Sequence, residues 1–416
     1  MILVLGFNVD ALAAARRLGL DVALVYTDVD APNFLVAVRH HGTPDCRLPL
    51  LSNAHADPTE VAGALARAGL LAPGAIEAVY TGDEASMVTA AALAAAVDAR
   101  GMPLARAIAL RDKAHQKDLV RAAGVPVAAH RVLDLAAPDA GPLRYPLVLK
   151  PLAEASATGT VVVDGPAALD AAARDLLAAE PKRRVYVAEE FVHGEEFHLD
   201  GYVEGGELGL LSVTHQANIL TTVRERGVHR GVVLDPERQR DVYALARPFT
   251  QASLCALGLT DGLFHLEAFR DGDGPFVFGE CGARPGGFLI PRVVEHKFGV
   301  DVHEEGLRMA AGLPRTAPAP APRREAVGYT HLPLTPGRIV SAPSSEEVMA
   351  LPGVLFAHVT VGTGSVARAR HDSNDRAGDV IAQAADEEEL RATMSEVAAW
   401  FAARTEALPA PQPEPV

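Results

Sequence analysis

Glu267 and Glu280 stand on either side of the turn residues Asp271 to Gly274 in the run LTDGLFHLEAFRDGDGPFVFGECGARPGG. Apolar stretches flanking such a turn predict a hairpin, and across its ladder the two carboxylates can converge. Side by side they repel unless a hard cation lies between them. Mg²⁺ takes oxygen ligands and commonly bridges protein carboxylates to substrate phosphates. A proton-sharing pair or a pair of exposed acids is the other reading. Four residues past Glu280 comes Arg284, then Pro285-Gly286-Gly287. An arginine there can bind a substrate carboxylate or the charge that builds on a transferring phosphoryl group. His265, two residues before Glu267, faces the same side of its strand, where it either touches substrate or supports Glu267.

Two lysines add to this. Lys113 opens a helix after Arg111-Asp112, and Lys150 ends the apolar strand of YPLVLKPL. Burying an unpaired ammonium is costly, so each needs an anionic partner, either a protein carboxylate or a nucleotide phosphate. The small-residue loop after Lys150, with Ser156, Thr158 and Gly159, offers backbone N–H groups to phosphate oxygens, although no Walker A motif is present. Four acids crowd the segment EEFVHGEE, Glu189 to Glu196. A solvated edge explains some of them; a ribose diol and an adenine amino group would each engage one.

These residues must be positioned by ordinary soluble elements. The 416-residue chain is long enough for two or three domains, with 49% apolar and 22% charged residues. A formal net charge of -15 argues against nucleic acid as a main partner but not against a nucleotide held by a few lysines. Cys46, Cys255 and Cys281 lie far apart and read as reduced thiols of a cytoplasmic protein. The opening MILVLGFNVD lacks the basic region of a signal peptide, and no stretch reaches the roughly 20 apolar residues of a membrane span.

Alternating short strands and helices predict a Rossmann-like α/β domain over residues 1–105. Gly6 reads as a tight turn, and the missing glycines of GFNVDA argue against a nicotinamide dehydrogenase. From 106 to 312 a mixture of antiparallel strands and helices predicts an α+β domain, its lysine-bearing part over about 106–190. There VYVAEEFV and EEFHLDGYV read as a strand pair around His193-Gly194. The APAPAP run at 317–322 reads as a stiff spacer. A small β-rich unit over 325–404 then packs back on the second domain, and 405–416 is expected to be disordered. The polar segment THQANILTTVRERGVHRG, with Arg224 and Arg226, is either a substrate-facing loop or an ordinary exposed one.

Together these residues resemble the ATP-grasp superfamily and its carboxylate–amine ligases, L-amino-acid (dipeptide) ligases in particular and D-alanine–D-alanine ligase more distantly. The resemblance covers nearly the whole chain. It implies an ATP-grasp fold behind the Rossmann-like domain, with ATP and Mg²⁺ as cofactors and a small-molecule carboxylate and amine as substrates. It also implies a homodimer. ATP would be held by Lys113, Lys150, Ser156, Thr158, Gly159, Glu189, Glu190, Val192 and Glu196. Among these, Glu189 would meet adenine beside the Val192 N–H, and Glu196 the ribose. Glu267 and Glu280 would be the metal ligands, with Arg284 and His265 as catalytic groups. One departure is Gly282, where many ATP-grasp enzymes have a metal-binding asparagine. The second metal then has one protein ligand fewer.

Overall fold

The computed structural model describes residues 1–27, 46–51, 56–154, 158–216, 228–315, 320–367 and 376–409. Four short apolar segments near the start form a parallel sheet: β1 (Ile2–Leu5), β2 (Val22–Tyr26), β3 (Cys46–Leu51) and β4 (Ala78–Thr81), in the order β3-β2-β1-β4. Both faces of this sheet are covered, which is why its strands read as continuous apolar runs. Gly6 ends β1 at φ +85, and a Cβ there would lie 3.1 Å from the Asp83 Cβ. It makes the tight turn into helix Val9–Arg17, whose first turn Asn8 caps through Ala11 N–H at 3.0 Å.

A second sheet carries Lys150. It contains β5 (His130–Asp134), β6 (Leu147–Pro151), β7 (Val161–Val163) and β8 (Val185–Glu190), antiparallel in the order β5-β8-β6-β7. Helix Pro166–Ala179 packs Leu169 and Ala173 against Leu147, Leu149 and Tyr186.

The largest sheet is antiparallel throughout. Its strands are β9 (Glu195–Glu204), β10 (Glu207–Gln216), β11 (Arg230–Val233), β12 (Gly262–Arg270), β13 (Val277–Gly282), β14 (Ala326–Leu332), β16 (Val354–Val359) and β18 (Gly378–Ala384). They run β13-β12-β9-β10-β11-β14-β18-β16. The C-terminal strands therefore do more than pack back on the core: β11 pairs with β14 and carries one continuous sheet through both regions. Three short strands, β15 (Gly337–Ser341), β17 (Val366–Ala367) and β19 (Glu406–Leu408), form a separate small sheet.

One expected pairing is absent. VYVAEEFV and EEFHLDGYV are not paired with each other, because β8 pairs with β5 and β6 whereas β9 pairs with β10 and β12. Residues 191–194 carry the chain from one sheet to the other. Gly194 takes φ +140 in this crossing, and a Cβ there would lie 2.6 Å from the Arg270 carbonyl oxygen. Only glycine passes so close to β12. Among the described residues no helix is long and apolar enough to cross a membrane. The segments 217–227 and 410–416, and part of the APAPAP run, lie outside the described residues.

Candidate active site

Strand alternation divides β9 and β12 cleanly. Phe197, Leu199, Phe264, Leu266 and Ala268 point into one apolar core under helices Lys113–Ala122 and Arg240–Leu257. The intervening residues Glu196, His198, Asp200, His265 and Glu267 therefore share the opposite face. Their register aligns them in rows. Glu280, Glu267 and His198 stand side by side across β13, β12 and β9; the next row is Gly282, His265 and Asp200.

A bulge on β13 keeps this alignment. Ala268 pairs with Phe278 while Glu267 pairs with Glu280, so Gly279 is the extra residue. A Cβ on Gly279 would lie 2.7 Å from the Glu267 carbonyl oxygen, so the bulge needs glycine. Its own carbonyl accepts a hydrogen bond from Lys117 Nζ at 2.5 Å.

The lysines meet carboxylates of the same set. Lys113 Nζ, on the first turn of its helix, donates to Glu280 Oε2. Lys150 Nζ, from β6, lies 2.5 Å from Glu189 Oε1, and Lys117 Nζ lies 2.8 Å from Glu189 Oε2. Burial alone would raise the Glu189 carboxyl, but the two ammonium groups outweigh it and hold it at about 2. The lysines respond differently. Burial opposes the charge on both; on Lys150 the Glu189 and Glu280 carboxylates win and the pKa rises, whereas on Lys117 burial and the neighbouring Lys150 lower it. Lys117 was not singled out from the sequence. Its signal was there: it follows Lys113 by one helical turn, on the same face.

Arg284 has a partner no local pattern announced. Its guanidinium donates through Nε to Glu84 Oε2 at 2.8 Å, and through Nη2 to the same oxygen. Arg111 Nη1 donates to the other oxygen of Glu84 at 2.7 Å. Burial would raise the Glu84 carboxyl, but Arg284, Lys113 and Arg111 hold it below its usual range. Glu84 sits in the loop after β4, at the carboxyl end of a parallel strand, where open α/β sheets place ligand-binding groups.

His265 Nδ1 lies 2.8 Å from Asp200 Oδ1, and its Nε2 lies 3.7 Å from Glu267 Oε1. Burial works against a proton on the ring, yet Asp200 and Glu267 prevail and raise it to about 9. Burial would raise the Glu267 carboxyl, and His265, His198 and Lys113 hold it well below the carboxylate range.

The remaining candidates are spread more widely. Glu196 is buried on β9, with His198 Nε2 3.7 Å from its Oε1. Glu190 points away from Glu189 and is held by Arg144, whose Nη2 donates to it at 2.8 Å. Val192 lies in the crossing between sheets, and Thr158 and Gly159 lie between β6 and β7. Gly159 adopts φ +69, packed on Pro151 and Tyr186. Ser156 lies outside the described residues, as do Arg224 and Arg226.

A lysine-bearing antiparallel sheet facing an acidic hairpin defines the ATP-grasp class, and this chain carries an ATP-grasp domain. Residues 143–291 match the ATP-grasp domain, and residues 330–406 match the L-amino acid ligase C-terminal domain 2. The chain is similar to an L-arginine-specific L-amino acid ligase of Bacillus subtilis, 26% identical over 314 residues that cover 73% of this chain and 74% of that protein. A D-alanine–D-alanine ligase of Sinorhizobium medicae is 26% identical over 213 residues, covering 46% of this chain and 65% of that enzyme. In three dimensions it resembles an L-amino acid ligase from Bacillus licheniformis, with TM-score 0.80 and 21% identity over 99% of this chain and 98% of the other.

Proposed function

We propose that the protein joins the carboxylate of one amino acid to the amine of a second through an acyl phosphate, in the cytoplasm. As an ATP-grasp ligase it uses ATP and acts on small molecules, releasing ADP. A carboxylate oxygen of the first substrate attacks the γ phosphorus and the bond to ADP breaks. The amine nitrogen of the second then attacks the acyl carbon, phosphate leaves with the C–O electron pair, and the amine gives up a proton. The product is an amide. Catalysis of this kind rests on positioning and electrostatics, so no nucleophilic side chain is required.

The observation that carries this reading is the row Glu280–Glu267 with Lys113 bonded to its outer member. An all-oxygen carboxylate pair suits Mg²⁺, so Glu267 and Glu280 would hold it; when bound, the ion neutralises charge on the phosphates. Lys113 and Lys150 would hold those phosphates. Arg284 and Glu84 together offer a cation and an anion, the complement of an amino-acid zwitterion: guanidinium to carboxylate, carboxylate to ammonium.

The test is to incubate the protein with ATP, Mg²⁺ and pairs of amino acids, measuring ADP release and amide by mass spectrometry. ADP and amide in equal amounts are expected for at least one pair. Turnover confined to bicarbonate or to acids that are not amino acids would overturn the amino-acid reading.

A further inference from the structure

We propose that His198, His265 and Glu267 form a site for a borderline divalent cation, Mn²⁺, Co²⁺ or Zn²⁺, that shares Glu267 with the all-oxygen pair. One nitrogen of each imidazole and one oxygen of Glu267 lie within 4.8 Å of one another. The sheet makes this cluster: His198 stands directly opposite Glu267 on the β9–β12 ladder, and His265 precedes Glu267 by two residues on the same face.

Each ring is oriented as a metal ligand is. A ligating histidine normally has its second nitrogen fixed by a carboxylate or another polar group, which sets the ring and leaves the first nitrogen for the ion. Asp200 Oδ1 holds His265 Nδ1 at 2.8 Å, which directs Nε2 towards Glu267. The Gln216 amide meets His198 Nδ1 at 3.0 Å and the Tyr329 hydroxyl at 2.8 Å. His198 is only 3% exposed, and its Nε2 is buried without a hydrogen-bond partner. Gln216 Oε1 is also buried without one. With that amide turned by half, its oxygen accepts from His198 Nδ1–H and from the Tyr329 hydroxyl, which leaves the lone pair on His198 Nε2 for an ion.

Gly282 gives the site its place. It stands directly across the ladder from His265 and offers no donor atom. The donor that row turns towards Glu267 is thus the His265 imidazole, and nitrogen ligands shift preference from Mg²⁺ towards the borderline ions. The ion displaces the proton from His265 Nε2 to solvent; two neutral imidazoles and one carboxylate then leave a bound dication with net positive charge, able to take an anionic oxygen of a small molecule. Ion binding is independent of the ligase reading.

The test uses the full chain, stripped with chelator and free of nucleotide, titrated with Co²⁺. One ion per chain is expected, with the visible absorption of a nitrogen-containing coordination sphere; Zn²⁺ displaces it and excess Mg²⁺ does not. His198→Ala should weaken Co²⁺ binding at least tenfold, and Asp200→Asn by about 10- to 100-fold. Circular dichroism verifies folding of both variants, and His198→Ala keeps the inference testable if Asp200→Asn does not fold. Unchanged Co²⁺ binding by folded His198→Ala, or complete displacement by Mg²⁺, would overturn it and leave the two histidines as packing around Glu267. Failure of the ligase reading would show separately, as an absence of amide with Mg²⁺ and ATP.

Discussion

Arg284, just past the end of β13, donates two hydrogen bonds to one oxygen of Glu84, a residue 200 positions earlier in the loop after β4. The contact ties the Rossmann-like sheet to the acidic hairpin. It also places a charge pair beside the carboxylates that would hold the metal.

Removing the guanidinium should stop chemistry and spare the nucleotide. Arg284→Ala is expected to lower kcat by about 10²–10³, the cost of losing one preorganised charge-stabilising group. Calorimetric titration should find ATP affinity nearly unchanged. Lost ATP affinity would place Arg284 on the nucleotide.

The opposite truncation should act on stability. Glu84→Ala leaves the partly buried Arg284 without its carboxylate and Arg111 without one of its contacts. Breaking a partly buried ion pair this way costs about 1–3 kcal/mol, read as a lowered denaturant midpoint. A midpoint within error of wild type would show that water or another group takes over the charge.

Glu280→Gln should weaken Mg²⁺-dependent ADP production far more than Glu154→Gln. Glu154 pairs with Arg183. Mg²⁺ titrations of both variants decide the matter, and equal losses would put the metal elsewhere.

Glu189 predicts an acid-sensitive stability. Its carboxyl lies at about 2 in the folded protein against 4.5 without the fold, so its contribution is complete above 4.5 and is lost as pH falls towards 2. Denaturation curves should lose stability more steeply over that window in the wild type than in Glu189→Gln. Parallel slopes would assign the acid sensitivity to other groups.

Gly279→Ala should disturb the bulge that aligns Glu267 with Glu280. The added methyl meets the Glu267 carbonyl at 2.7 Å, and relieving such overpacking costs about 1–3 kcal/mol. The melting temperature and the Mg²⁺ requirement should shift together.

What the chain determines locally is readable without a structure. The hairpin over Glu267 and Glu280 follows from its turn residues and apolar flanks, and Lys150 stands out because a strand end is an awkward place for an ammonium. Period-two alternation likewise puts His265 and Glu267 on one face, because side-chain direction along a strand depends on the backbone alone. The fold was legible to the same extent, in its parallel opening sheet and its acidic hairpin.

The partners were decided by tertiary structure. Glu84 meets Arg284, and Asp200 meets His265, only because distant strands and loops come together; nothing in local spacing specifies which remote carboxylate receives a given cation. The same holds for β8 and β9, adjacent in sequence yet built into different sheets, since strand pairing is set by which edges the core brings into register. Sequence chose the chemical groups and the faces they occupy. Packing chose which of them touch, because contact energies fall off within a few ångströms while the residues concerned stand up to 200 positions apart.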